Sequence, residues 1–406
     1  MLARKSVKQS YHPNNTTFQL MESFRQMTNE CIQIGLRQNI STLKTLSLFS
    51  YRELKRYDNM LSYYKLCAIS KAAGILSSRK KSLRRGYQSN NPYVSKLVLT
   101  SCYGFKLVNG NLVIPVGDRK HESIALNAHT LEVLSDPTLT VCSFTLTENS
   151  LSLCISREVQ EIKTEELVST VGVDRNLENI TVGNANQVIY YDISKTTTIA
   201  ANTRSIISSF KRNDKRIGKQ IRAKHGKRRT ERTKHILHQV SKDIVQNAKT
   251  NKQAIVFEEI STIRNLYRKG NLQGRRYRAM MNSAPFGEIK RQVEYKAAWE
   301  GVPVITLTRR ETSGTTVDCP KCGERLQSAS QDDIEHHRQM WCGVCMRWRD
   351  RDLVAVMNIS RRGWLRFDHS EGEASEAVRG NPEHEREPVI LRVDASKFGS
   401  RRKPRT

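Results

Sequence analysis

The sequence predicts a multidomain α+β protein, and three observations lead to this fold class. The chain has 406 residues, which is enough for two to four domains of about 100 to 200 residues each. The period of its apolar residues changes from a helical pattern to a strand pattern, and then to alternating strands and helices. Two close pairs of cysteines near the C-terminal end indicate a small insert folded around a metal ion.

Residues 16–88 are predicted to form a small helical bundle. Their apolar side chains recur at three- and four-residue steps, as in Phe18, Met21 and Phe24. The bundle ends in a basic run before a turn-forming Ser-Asn-Asn-Pro segment. This run indicates either a solvated helix face or a face that binds a phosphate backbone, and the sequence does not separate the two.

Residues 94–159 are predicted to form an antiparallel β-barrel or sandwich. Apolar residues alternate there with a period of two, and Asn109-Gly110 between two such runs is typical of a hairpin turn. Residues 5–11 alternate in the same way, although weakly. The first strand is therefore expected to belong to this β unit, with the helical bundle inserted into it.

Three acidic residues are similarly placed in a third, α/β part of the chain. Asp174 and Glu258 each end a predicted strand, and Asp352 begins an apolar helical run. Acids so placed can converge on one point, where they repel each other unless divalent cations hold them together. Two magnesium ions at such a point can activate water and stabilise the leaving oxygen of a phosphodiester. Glu259 is the alternative to Glu258, but only one can face the site because successive strand residues point to opposite faces.

The charge of the chain indicates a polyanionic partner. There are 68 Lys and Arg against 40 Asp and Glu, a formal net charge of +28. Phosphate backbones account for such an excess through counterion release, and an anionic membrane is the weaker alternative. The window 211–234, in a predicted polar helix, holds 12 Lys or Arg in 24 residues. Its predicted nucleic-acid contacts are Lys211, Arg212, Lys215, Arg216, Lys219, Arg222, Lys227, Arg228, Arg229 and Arg232.

The two cysteine pairs have the spacing of a zinc ribbon. Cys319 and Cys322 are separated from Cys342 and Cys345 by 19 residues, and each pair fits a tight knuckle that turns two thiolates toward one point. Four sulfurs complete the tetrahedral shell that zinc prefers, so one structural zinc ion is expected. The two histidines between the pairs, at positions 336 and 337, are expected to be surface residues.

The sequence carries no signal for a membrane. No stretch approaches the roughly 18 to 20 apolar residues that span a bilayer, and the N-terminus lacks the apolar run of a signal peptide. The five other cysteines are scattered through apolar segments, which suits a reducing compartment. A soluble cytoplasmic protein, with no membrane partner and favoured as a monomer, is expected.

Several segments of the chain resemble proteins of the TnpB family. Residues 171–179, 255–258 and 350–352 with 358–359 are similar to the three RuvC motifs of that family. Thr312-Ser313 ahead of the first cysteine pair, and Tyr295-Lys296-Ala297 with Gly301, are similar to the segments that precede its zinc ribbon. The resemblance is specific over residues 168–363 and rests on organisation alone over residues 16–159.

The resemblance implies an RNase H-like (RuvC) nuclease domain with an inserted zinc ribbon, preceded by a β-barrel wedge-type domain that carries a helical recognition insert. The implied boundaries are 1–15 and 89–165 for the wedge-like domain, 16–88 for the recognition domain, 166–311 and 349–365 for the nuclease domain, and 312–348 for a ribbon that binds target nucleic acid. Residues 366–406 contain Glu, Arg and Pro with little periodicity, and they are expected to form a disordered tail. The resemblance also implies that Asp174, Glu258 and Asp352 are catalytic ligands of two Mg²⁺ ions, for which Mn²⁺ can substitute.

Two residues depart from the family pattern. Asn176 stands where many relatives have glycine, a hairpin position that asparagine can fill because it tolerates left-handed geometry. Val354 stands where many have asparagine, two residues after the third acid, which removes a hydrogen bond beside the site. Neither departure changes a predicted metal ligand.

The function that the resemblance implies is cleavage of DNA at a target chosen by pairing with a guide RNA and by a short flanking motif. A compact type V CRISPR effector shares all these motifs, and its genomic neighbourhood of repeats and spacer-acquisition genes would distinguish it. A non-cutting RNA-guided binding protein is a second alternative, disfavoured because it has no use for three acids. A structure-specific resolvase is a third, and it would not need the helical and β units.

Overall fold

The computed structural model describes most of the chain. The described residues are 1–210, 215–260, 263, 267, 270, 272–329, 333, 335–336, 338–367 and 388–398, without the side chains of 215–217. They divide into two compact units, Leu2–Glu158 and a second unit that comprises Met1 and the residues from Val159 onward. No helix in these ranges is long and apolar enough to cross a membrane.

Four helices belong to the first unit. They are α1 (Asn15–Arg37), α2 (Leu43–Glu53), α3 (Ser62–Arg84) and α4 (Ala128–Leu134). The side chain of Asn14 caps α1 by accepting the N–H of Thr17 at 2.9 Å. Phe24 and Met27 of α1 and Tyr64 of α3 are fully buried in the core of this unit. The predicted three- and four-residue spacing therefore gives the buried face of a helical bundle.

The strands of the first unit form two antiparallel sheets. The strands are β1 (Leu2–Ser10), β2 (Val98–Ser101), β3 (Lys106–Val108), β4 (Asn111–Gly117), β5 (Lys120–Ala125), β6 (Thr140–Thr147) and β7 (Ser150–Glu158). One sheet has the order β1-β7-β6-β2 and the other β3-β4-β5. Strand β1 pairs with β7 along its whole length, so the start of the chain and the segment after the helices share a sheet. A closed barrel stays a prediction.

The hairpin between β3 and β4 has the predicted turn. Val108 pairs with Asn111 across a two-residue loop, and Asn109 and Gly110 both have positive φ, at 48° and 75°. Asparagine followed by glycine is the pair that tolerates this geometry best.

A six-stranded mixed sheet forms the centre of the second unit. Its strands are β8 (Ser169–Arg175), β9 (Asn179–Gly183), β10 (Gln187–Asp192), β11 (Gln253–Glu258), β12 (Val304–Leu307) and β16 (Val389–Asp394). The order is β12-β11-β8-β9-β10-β16. Strands β8, β9 and β10 form an antiparallel meander, whereas β11 is parallel to β8, β12 to β11, and β16 to β10.

Helices cover both faces of this sheet. The second unit includes α5 (Ser194–Ser209), α6 (Lys215–Thr250), α7 (Arg275–Ser283), α8 (Phe286–Glu300) and α9 (Arg351–Trp364). Helices α6 and α8 pack on one face of the sheet and α9 on the other. Val173 of β8 is buried with residues of α6 and α8. Gly172 faces α9, where a Cβ atom would lie 2.3 Å from the carbonyl oxygen of Val356. The glycine therefore allows α9 to pack directly on β8, on the same face as Asp174, because residues two apart on a strand share a face.

A small three-stranded sheet is formed by the part of the chain between β12 and α9. Its strands are β13 (Gln327–Ser328), β14 (Gln339–Cys342) and β15 (Arg347–Asp350), in the order β13-β14-β15. Strands β14 and β15 form an antiparallel hairpin. Helix α9 begins at Arg351, directly after β15.

The C-terminal segment differs from its prediction. Residues 366–406 were expected to be disordered, but Val389–Asp394 forms β16, which pairs in parallel with β10. The physical reason is the open edge of β10, whose unpaired backbone groups accept a further strand. The short apolar run Val389-Ile390-Leu391 lies in a polar tail, which hid its strand pattern.

Candidate active site and cysteine cluster

Asp174 lies near the end of β8, on the sheet face that α9 covers. It is aligned with Thr181 of β9. The side chain of Asn176 donates a hydrogen bond to Asp174 Oδ2 at 2.8 Å. Asn176 has no positive φ, so the predicted role of this asparagine as a left-handed hairpin residue is wrong. Its amide instead fixes the orientation of the Asp174 carboxylate.

Glu258 ends β11, the strand beside β8. Phe257 is aligned with Val173, so the next position of the register brings Glu258 next to Asp174. Arg175 donates to the main-chain oxygen of Glu258 at 2.5 Å and thereby holds the end of β11. Glu259 is exposed, whereas Glu258 is only partly exposed. The two glutamates therefore differ in burial, as expected if only Glu258 faces the site.

Asp352 lies in the first turn of α9 and is buried, with 4% of its surface exposed. Three side chains hold this residue. Asp350, the N-cap of α9, accepts the main-chain N–H of Asp352 at 2.8 Å. Asn179 of β9 donates to Asp352 Oδ2 at 2.9 Å, and Arg338 donates to both carboxylate oxygens at 2.9 Å.

The three acids interact electrostatically around Asp174. Burial, followed by the charges of Glu258 and Asp352, raises the pKa of Asp174 to about 7, while Asn176 and Arg351 oppose the shift. Burial also raises the pKa of Glu258, against the lowering effect of Arg175. Like charges on buried carboxylates repel each other strongly, and bound divalent cations offset this repulsion. The donor set is thus one that hard cations such as Mg²⁺ prefer.

Sequence reasoning missed two residues of this site. Asn179 is the last residue of the first RuvC-like motif, 171–179, but its hydrogen bond to Asp352 spans 173 residues of sequence. Arg338 lies between the cysteine pairs, where its contact with Asp352 could not be read from local pattern. A basic residue just before a ribbon strand was the only available signal, and it is too common to be specific.

The four predicted zinc cysteines come together. Their sulfur atoms all lie within 4.8 Å of one another, the only such cluster of three or more metal-binding side chains within the described ranges. The Sγ atoms of Cys319 and Cys345 are 3.9 Å apart, and those of Cys322 and Cys342 are 3.5 Å apart. Two sulfurs bound at about 2.3 Å to a tetrahedral ion lie about 3.8 Å apart. The cluster therefore fits one zinc ion.

Each cysteine pair sits on a knuckle of the expected kind. In the first, Gly323 donates its N–H to the carbonyl oxygen of Cys319 at 2.9 Å and has a φ of 78°. In the second, the N–H of Cys345 points to the sulfur of Cys342 at 3.3 Å, and Met346 has a φ of 52°. The second knuckle thus places a methionine in a left-handed conformation that glycine adopts more easily.

The histidines between the cysteine pairs were expected to be surface residues. His336 bonds to Asp333 at 3.0 Å and stacks on Trp348 with ring centroids 4.1 Å apart. His337 lies outside the described residues. The described histidine therefore has partners other than the cysteine cluster.

Helix α9 connects the cysteine cluster to Asp352. Val354 is fully buried among Cys319, Cys342 and the apolar residues of the ribbon. Asn358, one turn further along, donates to the main-chain oxygens of Thr315 and Asp318 at 2.9 and 2.8 Å. The departure at Val354 thus supplies an apolar contact with the ribbon at the place where many relatives have asparagine.

The predicted nucleic-acid contacts lie on α6 where they are described. Lys219, Arg222, Lys227, Arg228 and Arg232 are exposed, and Arg229 is partly exposed. Lys215 and Arg216 belong to the helix but their side chains are not described, and Lys211 and Arg212 lie outside the described residues. The described part therefore presents a strongly basic surface.

Comparisons with known proteins show similarities to parts of the chain. The family model described as Cas12f1-like, TNB domain matches residues 286–359. Over 144 residues the chain is 28% identical to a TnpB-like protein of Methanocaldococcus jannaschii, covering 36% of this chain and 48% of the relative. Over 151 residues it is 28% identical to a Streptomyces pristinaespiralis protein whose name proposes an RNA-guided DNA endonuclease, covering 37% and 33%. The chain thus spans half or less of these relatives.

One solved structure is also similar. The mini-RNA-guided endonuclease CRISPR-Cas_phi3 matches with a TM-score of 0.35 at 10% identity, over 73% of this chain and 62% of that one. A likeness at this level does not establish a shared fold. The segment matched by the family model, however, contains both cysteine pairs and Asp352. Residues 286–359 are therefore similar to the TNB domain of Cas12f1-like proteins, and the chain is similar over about a third of its length to a TnpB-like protein.

Proposed function

We propose that the chain is an RNA-guided DNA endonuclease that hydrolyses phosphodiester bonds at a magnesium-dependent site. The observation that carries the proposal is that Glu258 ends the strand beside Asp174 and that the charges of Glu258 and Asp352 both raise the pKa of the buried Asp174 carboxyl group. The name of one relative proposes the same activity for that protein. Binding alone would not require three acids on two neighbouring strands and on the helix that crosses them.

The sheet of the second unit supports an RNase H-like (RuvC) nuclease domain. An antiparallel meander of three strands, β8 to β10, continues into β11 and β12, both parallel to β8. The acids occupy neighbouring strands and the helix that crosses them. This combination of order and acid placement is what the RuvC assignment requires. The wedge-like, recognition and ribbon domains, with the boundaries predicted from the sequence, complete the proposed architecture.

The three acids would hold the metal ions through their carboxylate oxygens, the ligands that Mg²⁺ prefers. When bound, two magnesium ions would supply an activated water and stabilise the leaving oxygen of the phosphodiester. The neighbouring residues orient the ligands: Asn176 holds Asp174, and Asn179 holds Asp352. One nitrogen of the Arg338 guanidinium donates to both carboxylate oxygens of Asp352. The rest of this half-exposed guanidinium would be available to a phosphate oxygen.

The cysteine cluster would hold one zinc ion with a structural role. Four sulfurs leave no open position for a substrate or water. Its contribution to cleavage would be indirect, through Val354 and Asn358 of the helix that bears Asp352.

The proposed partners are a guide RNA and a target DNA. Charge supports a polyanionic partner, and the exposed arginines and lysines of α6 would contact phosphates. Target choice would come from base pairing with the guide and from a short flanking motif that the protein reads. The proposal of a guide RNA rests on the resemblance to TnpB proteins, since no charge or spacing specifies it.

The test is the RNA that copurifies with the protein, followed by cleavage of a DNA that matches it. We expect one discrete structured RNA, and cleavage of a matching target in Mg²⁺ that stops when a chelator is added. Random RNA fragments together with no cleavage of any matched target would overturn the proposal.

A further inference from the structure

A row of aligned residues crosses the sheet of the second unit from Asp174 to its edge strand. Asp174 on β8 is aligned with Thr181 on β9, and Thr181 is aligned with Tyr190 on β10. Tyr190 is in turn aligned with Arg392 on β16. Residues aligned across neighbouring strands share a face of the sheet. The row therefore joins a proposed catalytic acid to the C-terminal strand, on the face that α9 covers.

Tyr190 connects this row to the helix that bears Asp352. Its ring is buried, with 7% of the residue exposed, and the guanidinium of Arg392 lies 5.1 Å from the ring centroid. Its hydroxyl donates to Asp350 Oδ1 at 3.1 Å. The same oxygen accepts the N–H of Asp352 at 2.8 Å and that of Leu353 at 3.1 Å. One oxygen atom thus accepts hydrogen bonds from the Tyr190 hydroxyl and from two main-chain N–H groups in the first turn of α9.

We propose that the C-terminal strand β16 positions Asp352 through Arg392, Tyr190 and Asp350. This inference rests on the proposed function only where it concerns cleavage. Arg392 covers the tyrosine ring, the tyrosine hydroxyl orients the Asp350 carboxylate, and that carboxylate caps the helix on which Asp352 lies. A cap residue that is itself held in place fixes the start of its helix more tightly.

Strand β16 also lies beside the site. An open cleft of about 670 Å³ is lined by Asp352 and Arg338 on one side and by Arg392, Val393 and Asp394 of β16 on the other. A strand that only protected the sheet edge would not need a side chain on the ring of Tyr190, the residue whose hydroxyl bonds to the cap of α9. A strand that only protects the sheet edge and a strand that positions Asp352 predict different effects of a single substitution at Tyr190.

Hydrogen exchange of the full-length protein without nucleic acid separates the two roles. Tyr190→Phe removes only the hydroxyl, and Arg392→Ala removes the cover of the ring, so we expect the amides of Asp352 and Leu353 to exchange about fivefold faster in each, the effect of one hydrogen bond. Arg392→Lys should restore part of the protection. Val389→Thr, on the opposite face of β16 and 60% exposed, is the matched control with unchanged exchange.

Cleavage of a pre-bound target provides the second readout. Tyr190→Phe and Arg392→Ala should raise the Mg²⁺ concentration for half-maximal cleavage several-fold and leave target binding unchanged. Unchanged exchange at Asp352 and Leu353 in both variants would overturn the inference. Faster exchange in both, with a wild-type protein that cuts no target, would support the positioning role and refute the proposed nuclease function.

Discussion

At the scale of single residues, Asp174 is the acid whose pKa both other candidate acids raise. Burial is the first cause of its raised pKa, and Glu258 and Asp352 are the next two. The three residues lie 84 and 94 positions apart in sequence order, so their proximity is a product of the fold. Each of them ends or begins an apolar segment, so the sequence could predict that the strands and the helix carrying them are buried, whereas their role as metal ligands stays a prediction.

The roles of the neighbouring side chains could not be predicted in this way. Asn176 was interpreted from its backbone, as a turn residue, whereas its side chain carries the contact with Asp174. Val354 was interpreted as a lost hydrogen bond, whereas it packs on the cysteine cluster. A sequence pattern reports which residues are buried, but not which partner a buried polar group finds.

Neutral isosteres of the three acids test the site. Asp174→Asn, Glu258→Gln and Asp352→Asn should each slow magnesium-dependent cleavage by roughly 100-fold or more, because a metal ligand is lost. Binding of guide RNA and target DNA should stay nearly unchanged. The measurement is single-turnover cleavage alongside an affinity measurement on the same preparation.

Glu259→Gln is the matched control for these variants, since Glu259 is exposed and one position further along the chain. It should cut at the normal rate. If Glu258→Gln cut normally and Glu259→Gln did not, the assignment of the second acid would move to Glu259. Full activity of Asp174→Asn or Asp352→Asn would refute the site.

At the scale of elements, the two knuckles differ in the residue that follows the second cysteine. Gly323 and Met346 occupy equivalent positions after the second cysteine of each pair, and both have positive φ. A residue with a Cβ atom pays about 1 to 2 kcal/mol for this conformation, whereas glycine does not. The cysteine spacing therefore predicted the cluster correctly in outline, while the strain in its second half is visible only in the backbone.

Met346→Gly should stabilise the second knuckle. The relief of strain is partly offset by the greater entropy of glycine in the unfolded chain, so we expect a net gain of about 0.5 to 1 kcal/mol, or roughly a two- to fivefold increase in the chelator concentration that removes half of the zinc. Gly323→Ala is the reciprocal variant and should shift this midpoint the other way. Equal midpoints for Met346→Gly and the wild type would show that the left-handed methionine is not strained.

The basic half of α6 is the second element with a testable role. Each phosphate contact contributes about 0.7 to 0.9 to the slope of log affinity against log salt concentration. Replacing Lys227, Arg228 and Arg232 by Gln should therefore flatten the slope for nucleic-acid binding by roughly two to three units. The matched control replaces Lys106, Arg119 and Lys120, which are exposed on the β3-β4-β5 sheet, and changes the net charge equally.

The control distinguishes a local contact from the overall charge of the chain. A slope that flattens only in the α6 variant supports contact along this helix. If both variants flattened the slope equally, the helix would act through net charge alone, and the assignment of its side chains to phosphates would fail.

At the scale of the whole molecule, local patterns and long-range contacts were predicted with different success. The β3-β4 turn and the cysteine pairs are specified within a few residues, and the sequence predicted both. The contacts of Tyr190 with Asp350 and of Thr170 with Ser360 join residues 160 and 190 positions apart, and no periodicity indicates them. The same limit explains β16, whose partner strand lies about 200 residues earlier in the chain.

The last prediction joins the cysteine cluster to cleavage. The wild-type protein should contain about one tightly bound zinc per chain. Cys342 is fully buried and packs with Val354, two residues beyond Asp352, so loss of the ion should disturb the first turn of α9. We expect Cys342→Ser to lose zinc and to cut at least about tenfold more slowly at saturating target, although no cysteine touches the scissile phosphate.

Cys102→Ser, an exposed cysteine in the first unit, is the control and should keep both zinc and activity. Elemental analysis and single-turnover cleavage on the same samples make the measurement. A ribbon that only decorates the surface would leave cleavage unchanged when zinc is lost. A zinc-free Cys342→Ser protein that cuts at the normal rate, or a wild-type protein without zinc, would therefore refute the coupling. The contacts that would carry it are those of Val354 and Asn358 with the ribbon and that of the ribbon residue Arg338 with Asp352.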